Sequence, residues 1–203
     1  LIRGLEAGKH VFVEKPLALS LEQLQQVYTL VRRSDRQVFV GFNRRFAYLS
    51  LLVKEAVSAV TSPLMIQIRV NAGRVPLDHW IQDPETGGGR LVGESCHFVD
   101  LMVYFTQSMP VSVYGTALPS PQKSLLINDN FILVVRFANG SVGTVLYTSE
   151  GSPKMPKEYL EVFGGSTSAV INDFREATIY QGARARRVRL RSQDKGQALM
   201  LSS

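Results

Sequence analysis

Ala7-Gly8-Lys9-His10-Val11-Phe12-Val13-Glu14-Lys15-Pro16 is the stretch on which the fold turns. Gly8 reads as the stop of an amphipathic helix over Leu1 to Ala7, and His10 to Val13 as a short apolar strand. A second round follows. Ser20 caps a helix carrying Leu21, Leu24, Val27, Leu30 and Val31 on one face, with Glu22 in its first turn and Arg32 and Arg33 in its last, and Val38 to Phe42 form another strand. Helix, strand, helix, strand with short connections predicts the last portion of a doubly wound parallel sheet. Glu14-Lys15-Pro16 then falls just past the C-terminal end of a parallel strand, where open α/β sheets bind ligands. A lysine there holds a substrate hydroxyl or carboxamide by charge-assisted hydrogen bonds, and a proline fixes the turn that aims it. Taken alone, the triplet has an ordinary exposed loop lysine as its default.

After Gly41 the rhythm changes. A helix is predicted around Phe46 to Val60, an alternating strand from Leu64 to Val70, then a loop rich in Pro, Gly and Asp. A long helix from Gly89 to Phe105 offers Leu91, Phe98, Leu101, Met102 and Phe105 to a core. Beyond it the chain reads as strand: Val111 to Thr116, Asn130 to Phe137, Ser141 to Tyr147, Tyr159 to Phe163, Ala169 to Asn172 and Ala177 to Tyr180. Asn139-Gly140 is the strongest hairpin signal. The predicted class is therefore α/β, a parallel sheet followed by an α+β part built on a large, mainly antiparallel open sheet with helices on one face.

The 203 residues are 45% hydrophobic and 20% charged, which is ordinary globular composition and rules out a disordered chain. No apolar run reaches the ~18 residues of a membrane span and no charged-then-apolar leader is present, so no membrane partner is expected. The chain opens on Leu1 within a helical pattern, from which a longer polypeptide is expected. One cysteine, Cys96, excludes an internal disulfide and fits a reducing, cytoplasmic setting. The net charge of +6 is concentrated at Arg184, Arg186, Arg187, Arg189 and Arg191. Arg187, Arg189 and Arg191 alternate with Val188 and Leu190, the pattern of a strand with one solvated face. No aromatic platform accompanies them, so no nucleic-acid partner is expected.

A second chemical cluster is Gly87-Gly88-Gly89-Arg90-Leu91-Val92-Gly93-Glu94-Ser95-Cys96-His97-Phe98-Val99-Asp100-Leu101. On a helix Glu94, His97 and Asp100 lie three apart, each neighbouring the next. An adjacent carboxylate would orient His97 and hold its proton, as acid/base work requires. The bland alternative is a capped helix with a polar stripe and a histidine satisfied in the core. The three histidines are scattered, and no metal site is expected.

Together the Ala7-to-Pro16 stretch, Gly41-Phe42-Asn43-Arg44-Arg45-Phe46 and the glycine-led helix ending Cys96-His97-Phe98-Val99-Asp100-Leu101 resemble the Gfo/Idh/MocA family of NAD(P)-dependent oxidoreductases. The resemblance implies a Rossmann remnant over 1–42 and a substrate-binding, oligomerising domain over 43–203. It implies dehydrogenation of a sugar, inositol or related polyol with NAD or NADP. Carried over, Lys15, His97 and Glu94 are the catalytic residues, Glu14, Lys15, Pro16, Asn43 and Arg44 bind cofactor, and Lys15, Asp100 and His97 bind substrate. It also implies a cis Lys15-Pro16 bond. The sequence departs from the family in two ways. Gly93 stands where many members have Asp, with Glu94 beside it, and the glycine-rich dinucleotide fingerprint is missing, so the isolated chain is expected to bind NAD(P) weakly. The stretch Gly89-Arg90-Leu91-Val92-Gly93-Glu94-Ser95-Cys96-His97 is most similar to a branch in which this module follows a zinc-type alcohol-dehydrogenase-like domain. The alternative class is a non-catalytic dimerising or ligand-binding module that kept the fold. Finally, Phe131, Leu133, Val135 and Phe137 alternate with Ile132 and Val134, so both faces of that strand are apolar and a homo-oligomer through the sheet face is expected.

Overall fold

The structure, a computed structural model, describes residues 1–76, 78–119 and 128–203. It opens with α1 (Ile2–Glu6), β1 (Val11–Val13), α2 (Leu21–Arg33) and β2 (Val38–Val40), in which β1 and β2 pair in parallel. Gly8, at φ +67, lets α1 close as a Schellman turn: its N–H donates to Leu5 O (2.9 Å) and that of Lys9 to Gly4 O (2.9 Å). Ser20 caps α2 as the sequence requires, its Oγ accepting from the Gln23 N–H at 3.2 Å. The apolar stripe of α2 is a correction: of its predicted core-facing residues only Val27 is buried, while Leu21 and Leu24 are exposed. Two strands of three residues offer too little surface to cover it, and Phe12 and Phe39, stacked at 5.4 Å, are exposed on the same small sheet.

A short 3₁₀ turn (Asn43–Phe46) leads into α3 (Tyr48–Ser58), β3 (Met65–Asn71), a second 3₁₀ turn (Trp80–Gln82) and α4 (Gly89–Thr106). The rest is β4 (Pro110–Ala117), β5 (Phe131–Phe137), β6 (Val142–Thr148), β7 (Glu158–Gly164), β8 (Thr167–Asn172), β9 (Glu176–Gln181), β10 (Arg184–Arg189) and a closing α5 (Gln197–Ser202). The eight strands β3–β10 form one sheet in the order β10-β9-β8-β7-β3-β6-β5-β4, with β3 against β6 as its parallel pair. Alternation decides its faces. Ile66, Ile68, Val70, Phe131, Val145 and Val162 point inward onto α3 (Leu49, Val53) and α4 (Phe98, Leu101, Met102, Phe105). Ile132, Leu146, Met65 and Phe163 lie on the opposite, open face.

The β5–β6 hairpin carries a detail the dipeptide did not give. Asn139 keeps a negative φ while Gly140 sits at +86°, and Gly140 N–H donates to Phe137 O (3.0 Å). This is a type I turn followed by a left-handed glycine rather than a two-residue loop. β10 is the solvated arginine edge expected, with Arg187 paired to Glu176 across the strands. No helix of the described residues is long and apolar enough to cross a membrane.

Candidate active site at the junction of the two sheets

Lys15 leaves the C-terminal end of β1 and reaches α4. Its Nζ donates to Glu94 Oε1 at 2.7 Å and to Gly93 O at 2.9 Å, joining motifs 79 positions apart. Both side chains are about four-fifths buried. The Lys15-Pro16 peptide is cis, as the resemblance implied. Glu14 lies at the neighbouring strand end, where a Cβ on Gly41 would stand 3.1 Å from its carboxylate, so that glycine allows β1 and β2 to end side by side. The start of α4 also depends on glycine. A Cβ at Gly87 would collide with the backbone of Trp80 and Ile81, and Gly88, at φ +68, lies against Leu19. These two glycines thus let the loop fold tightly behind the helix that carries Glu94 and His97.

His97 lies one turn beyond Gly93, 5% exposed, with the Phe42 ring edge-on at 6.3 Å. Burial, then the charges of Arg44 and Lys15, hold its pKa down to about 2, so the imidazole is neutral. The expectation that a neighbouring carboxylate orients it is corrected. Glu94 turns to Lys15, Asp100 is gripped by Arg45 (Nε to Oδ2 2.6 Å, Nη2 to Oδ1 2.5 Å), and His97 Nδ1 is buried with no hydrogen-bond partner. The reason is geometric: each carboxylate finds a cation on another element instead of its helical neighbour. Burial raises the Asp100 pKa and Arg45 only partly offsets it.

Asn43 and Arg44 are both buried, held by long-range ties. Asn43 Nδ2 donates to Lys195 O (2.8 Å), and Arg44 grips Glu158 with two 2.8 Å bonds while its guanidinium lies 5.0 Å over Phe98. Lys195 Nζ adds a third bond to Glu158 at 2.6 Å. Burial pushes the Glu158 carboxyl up, but Arg44 and Lys195 outweigh it and bring it to about 2. Sequence reasoning missed Glu158 and Lys195. The available signal was Glu158 itself, a carboxylate at an inward position of a strand whose next inward residues are Leu160 and Val162, which demands a cation.

Cys96, its Sγ near Gly93 O (3.7 Å), is pushed up to about 11 by burial, which makes it a poor nucleophile. Among the described residues no group of three His, Cys, Asp or Glu side chains is assembled to hold a metal.

A parallel strand–helix–strand unit whose first strand leads into a lysine meets a histidine-bearing helix under an open sheet, at the strand ends where α/β sheets take ligands. Residues 53–170 match the GFO/IDH/MocA C-terminal domain, and residues 1–42 match the oxidoreductase family with NAD-binding Rossmann fold. The chain belongs to the Gfo/Idh/MocA family. It is 31% identical over 179 residues to the uncharacterized oxidoreductase YrbE of Bacillus subtilis (strain 168), covering 86% of this chain and 51% of that one. It is 29% identical over 182 residues to the myo-inositol 2-dehydrogenase of Thermotoga maritima, covering 88% and 54%. Its fold matches an inositol dehydrogenase homolog from Azotobacter vinelandii complexed with NAD+ at TM-score 0.77 and 19% identity, over 92% of this chain and 52% of the other. The chain spans about half the length of the curated relatives it matches.

Proposed function

We propose that the polypeptide carrying this chain oxidises a sugar, inositol or related polyol, passing hydride to NAD or NADP, and that residues 1–42 and 43–203 are its Rossmann remnant and its substrate domain. The observation that carries this reading is the Lys15–Glu94 contact, which joins the end of the parallel sheet to the histidine helix at the position where α/β sheets take ligands. The residues present fit the nicotinamide end of a dinucleotide. Glu14, Lys15 and Pro16 follow β1, Asn43 and Arg44 follow β2, and the His97 ring lies beside Phe42 with its buried Nδ1 unpartnered. When bound, the nicotinamide supplies the hydride acceptor.

The remaining chemistry belongs to the protein. Lys15, fixed by Glu94 and Gly93 O, donates to the substrate hydroxyl or the carboxamide and stabilises negative charge developing on the carbinol oxygen. The neutral His97 imidazole accepts the hydroxyl proton, and Asp100, oriented by Arg45, borders the substrate. Glu94 takes the part played in other members by an acid at the position of Gly93. The cations Arg44, Lys15 and Lys195 oppose protonation of His97, so an alkoxide forming beside it is what offsets them. The lone free thiol fits a cytoplasmic enzyme. The open sheet face, with Ile132, Leu146, Met65 and Phe163 exposed, fits a two-fold homodimer.

Incubating the natural polypeptide with NAD and a panel of cyclitols and sugars tests the reading. Polyol-dependent appearance of reduced nicotinamide is expected, and its absence with every polyol, with NAD and NADP alike, would refute it. A second reading, a ligand-binding module without catalysis, draws on Gly93 and on the low pKa of His97. It predicts polyol binding without nicotinamide reduction.

A further inference from the structure

One row of side chains on the covered face of the eight-stranded sheet crosses four strands. Pairing sets Phe131 of β5 beside Tyr147 of β6, Tyr147 beside Val70 of β3, and Val70 beside Glu158 of β7. All four are buried, on strands whose alternate residues face the other way. Neighbouring strands lie about 4.8 Å apart, so the Tyr147 and Glu158 backbones are about 10 Å apart with Val70 alone between them. Glu158 is the carboxylate clamped by Arg44 and Lys195, which brings Tyr147 to the border of the candidate active site.

The first turns of α4 meet the same tyrosine. Arg90 and Glu94 stand one turn apart on that helix, and the Arg90 guanidinium lies 5.8 Å from the centre of the Tyr147 ring. Glu94 in turn holds Lys15 at 2.7 Å. Tyr147 is thus placed between the carboxylate that anchors Lys15 and the one that anchors Arg44. Burial raises its pKa, Arg90 opposes the rise, and the charges of Glu94 and Glu158 add to it, so the phenol keeps its proton and remains a donor.

The hydroxyl has no task within the protein. The ring stacks on Phe131 at 5.1 Å, a contact that phenylalanine would make equally well. A tyrosine hydroxyl carried into a core ordinarily finds a partner there. Among the described residues Tyr147 Oη has none, and yet the oxygen is not sealed, because the little surface this 2% exposed residue keeps includes Oη. A donor held in a nearly closed site, unpaired but reachable, is a place for a ligand's hydroxyl.

We infer that Tyr147 contacts the substrate, its Oη donating to a hydroxyl of the polyol other than the one oxidised. Lys15 and His97 already serve the carbinol. A further anchor on a different ring hydroxyl fixes which carbon is turned toward them, so Tyr147 selects among polyols that differ in the position or hand of one hydroxyl. The word substrate rests on the oxidoreductase reading above; the contact with a polyol does not.

Calorimetric titration of the natural polypeptide, with NAD present, by myo-inositol, glucose and their monodeoxy analogues tests it in wild type and Tyr147→Phe, with steady-state kinetics beside it. The variant removes one oxygen and keeps the ring. It is expected to bind myo-inositol or glucose about three- to tenfold more weakly, with the loss carried in KM and kcat changed by less than about twofold. Its thermal midpoint should not fall, because no hydrogen bond within the protein is lost. One monodeoxy analogue, lacking the contacted hydroxyl, should bind both proteins equally, which a merely structural change would not produce. Equal affinity and KM in the two proteins, the same loss for every analogue, or no binding of either polyol to wild type would overturn the inference. Nicotinamide reduction by wild type with unaltered kinetics in Tyr147→Phe removes this contact alone. Polyol binding weakened by the variant, without nicotinamide reduction in either protein, removes the oxidoreductase reading alone.

Discussion

Lowering the pH from about 6.5 to about 5 should destabilise this protein through His97, and His97→Gln should remove that sensitivity. An unperturbed histidine titrates near ~6.5, whereas His97 in the fold is held at about 2, first by burial and then by Arg44 and Lys15. Below pH ~6.5 the unfolded chain takes up a proton that the native ring refuses. The stability is therefore fully present above ~6.5 and is lost progressively as the pH falls toward 2. Each pH unit within that window is worth ~1.4 kcal/mol, so the interval down to about pH 5 costs ~2 kcal/mol. His97 is 5% exposed, so solvent screening takes little from this figure. Urea unfolding of wild type and His97→Gln at several pH values measures it, because groups common to both proteins cancel in the difference of slopes. Glutamine at this site will change the absolute stability, but not the contrast in pH dependence. Parallel slopes for the two proteins would show that His97 is protonated in the native state and that the cationic, buried environment assigned to it is wrong.

Glu158→Ala should cost about 3–5 kcal/mol in chemical denaturation, since it strands Arg44 and Lys195 without their shared carboxylate in a nearly closed site; an effect below ~1 kcal/mol would mean that the cluster is hydrated. The protein should run as a dimer in light scattering, and Ile132→Lys with Leu146→Arg on the open face should shift it to monomer without unfolding it. A wild-type monomer at concentrations on the order of tens of micromolar would instead show that this face needs no second copy.

Local signals carried most of the fold. The Ser20 cap, the Gly8 stop, period-two alternation in β3, the apolar strand runs of β5–β9 and the length of α4 are written in adjacent residues, and each of these elements appears within about two positions of where the pattern puts it. Burial on α2 was not legible, because a stripe of leucines says only that cover is wanted, and the two-stranded sheet does not supply it. The site divides along the same line. Glu-Lys-Pro and the glycine-led helix were visible as motifs, and their meeting through Lys15 and Glu94 fits both. What sequence could not assign was which carboxylate answers which cation. Asp100 with Arg45, and Glu158 with Arg44 and Lys195, are separated by dozens of residues, and an ion pair leaves no periodicity between its ends. Six-residue α5 also escaped, since Gly196, at φ +85, starts it without a side-chain cap.

The most direct test of the central claim is the rate of hydride transfer in a single turnover, from a polyol that supports reduction, in wild type and in Lys15→Gln. If Lys15, held by Glu94, places and polarises the carbinol, the variant should lose roughly 10²- to 10³-fold in that step, with a native circular dichroism spectrum at the assay temperature showing that the loss is not unfolding. Transfer at the wild-type rate by Lys15→Gln would contradict the account, since the ion pair between the end of the parallel sheet and the histidine helix would then have no part in the chemistry.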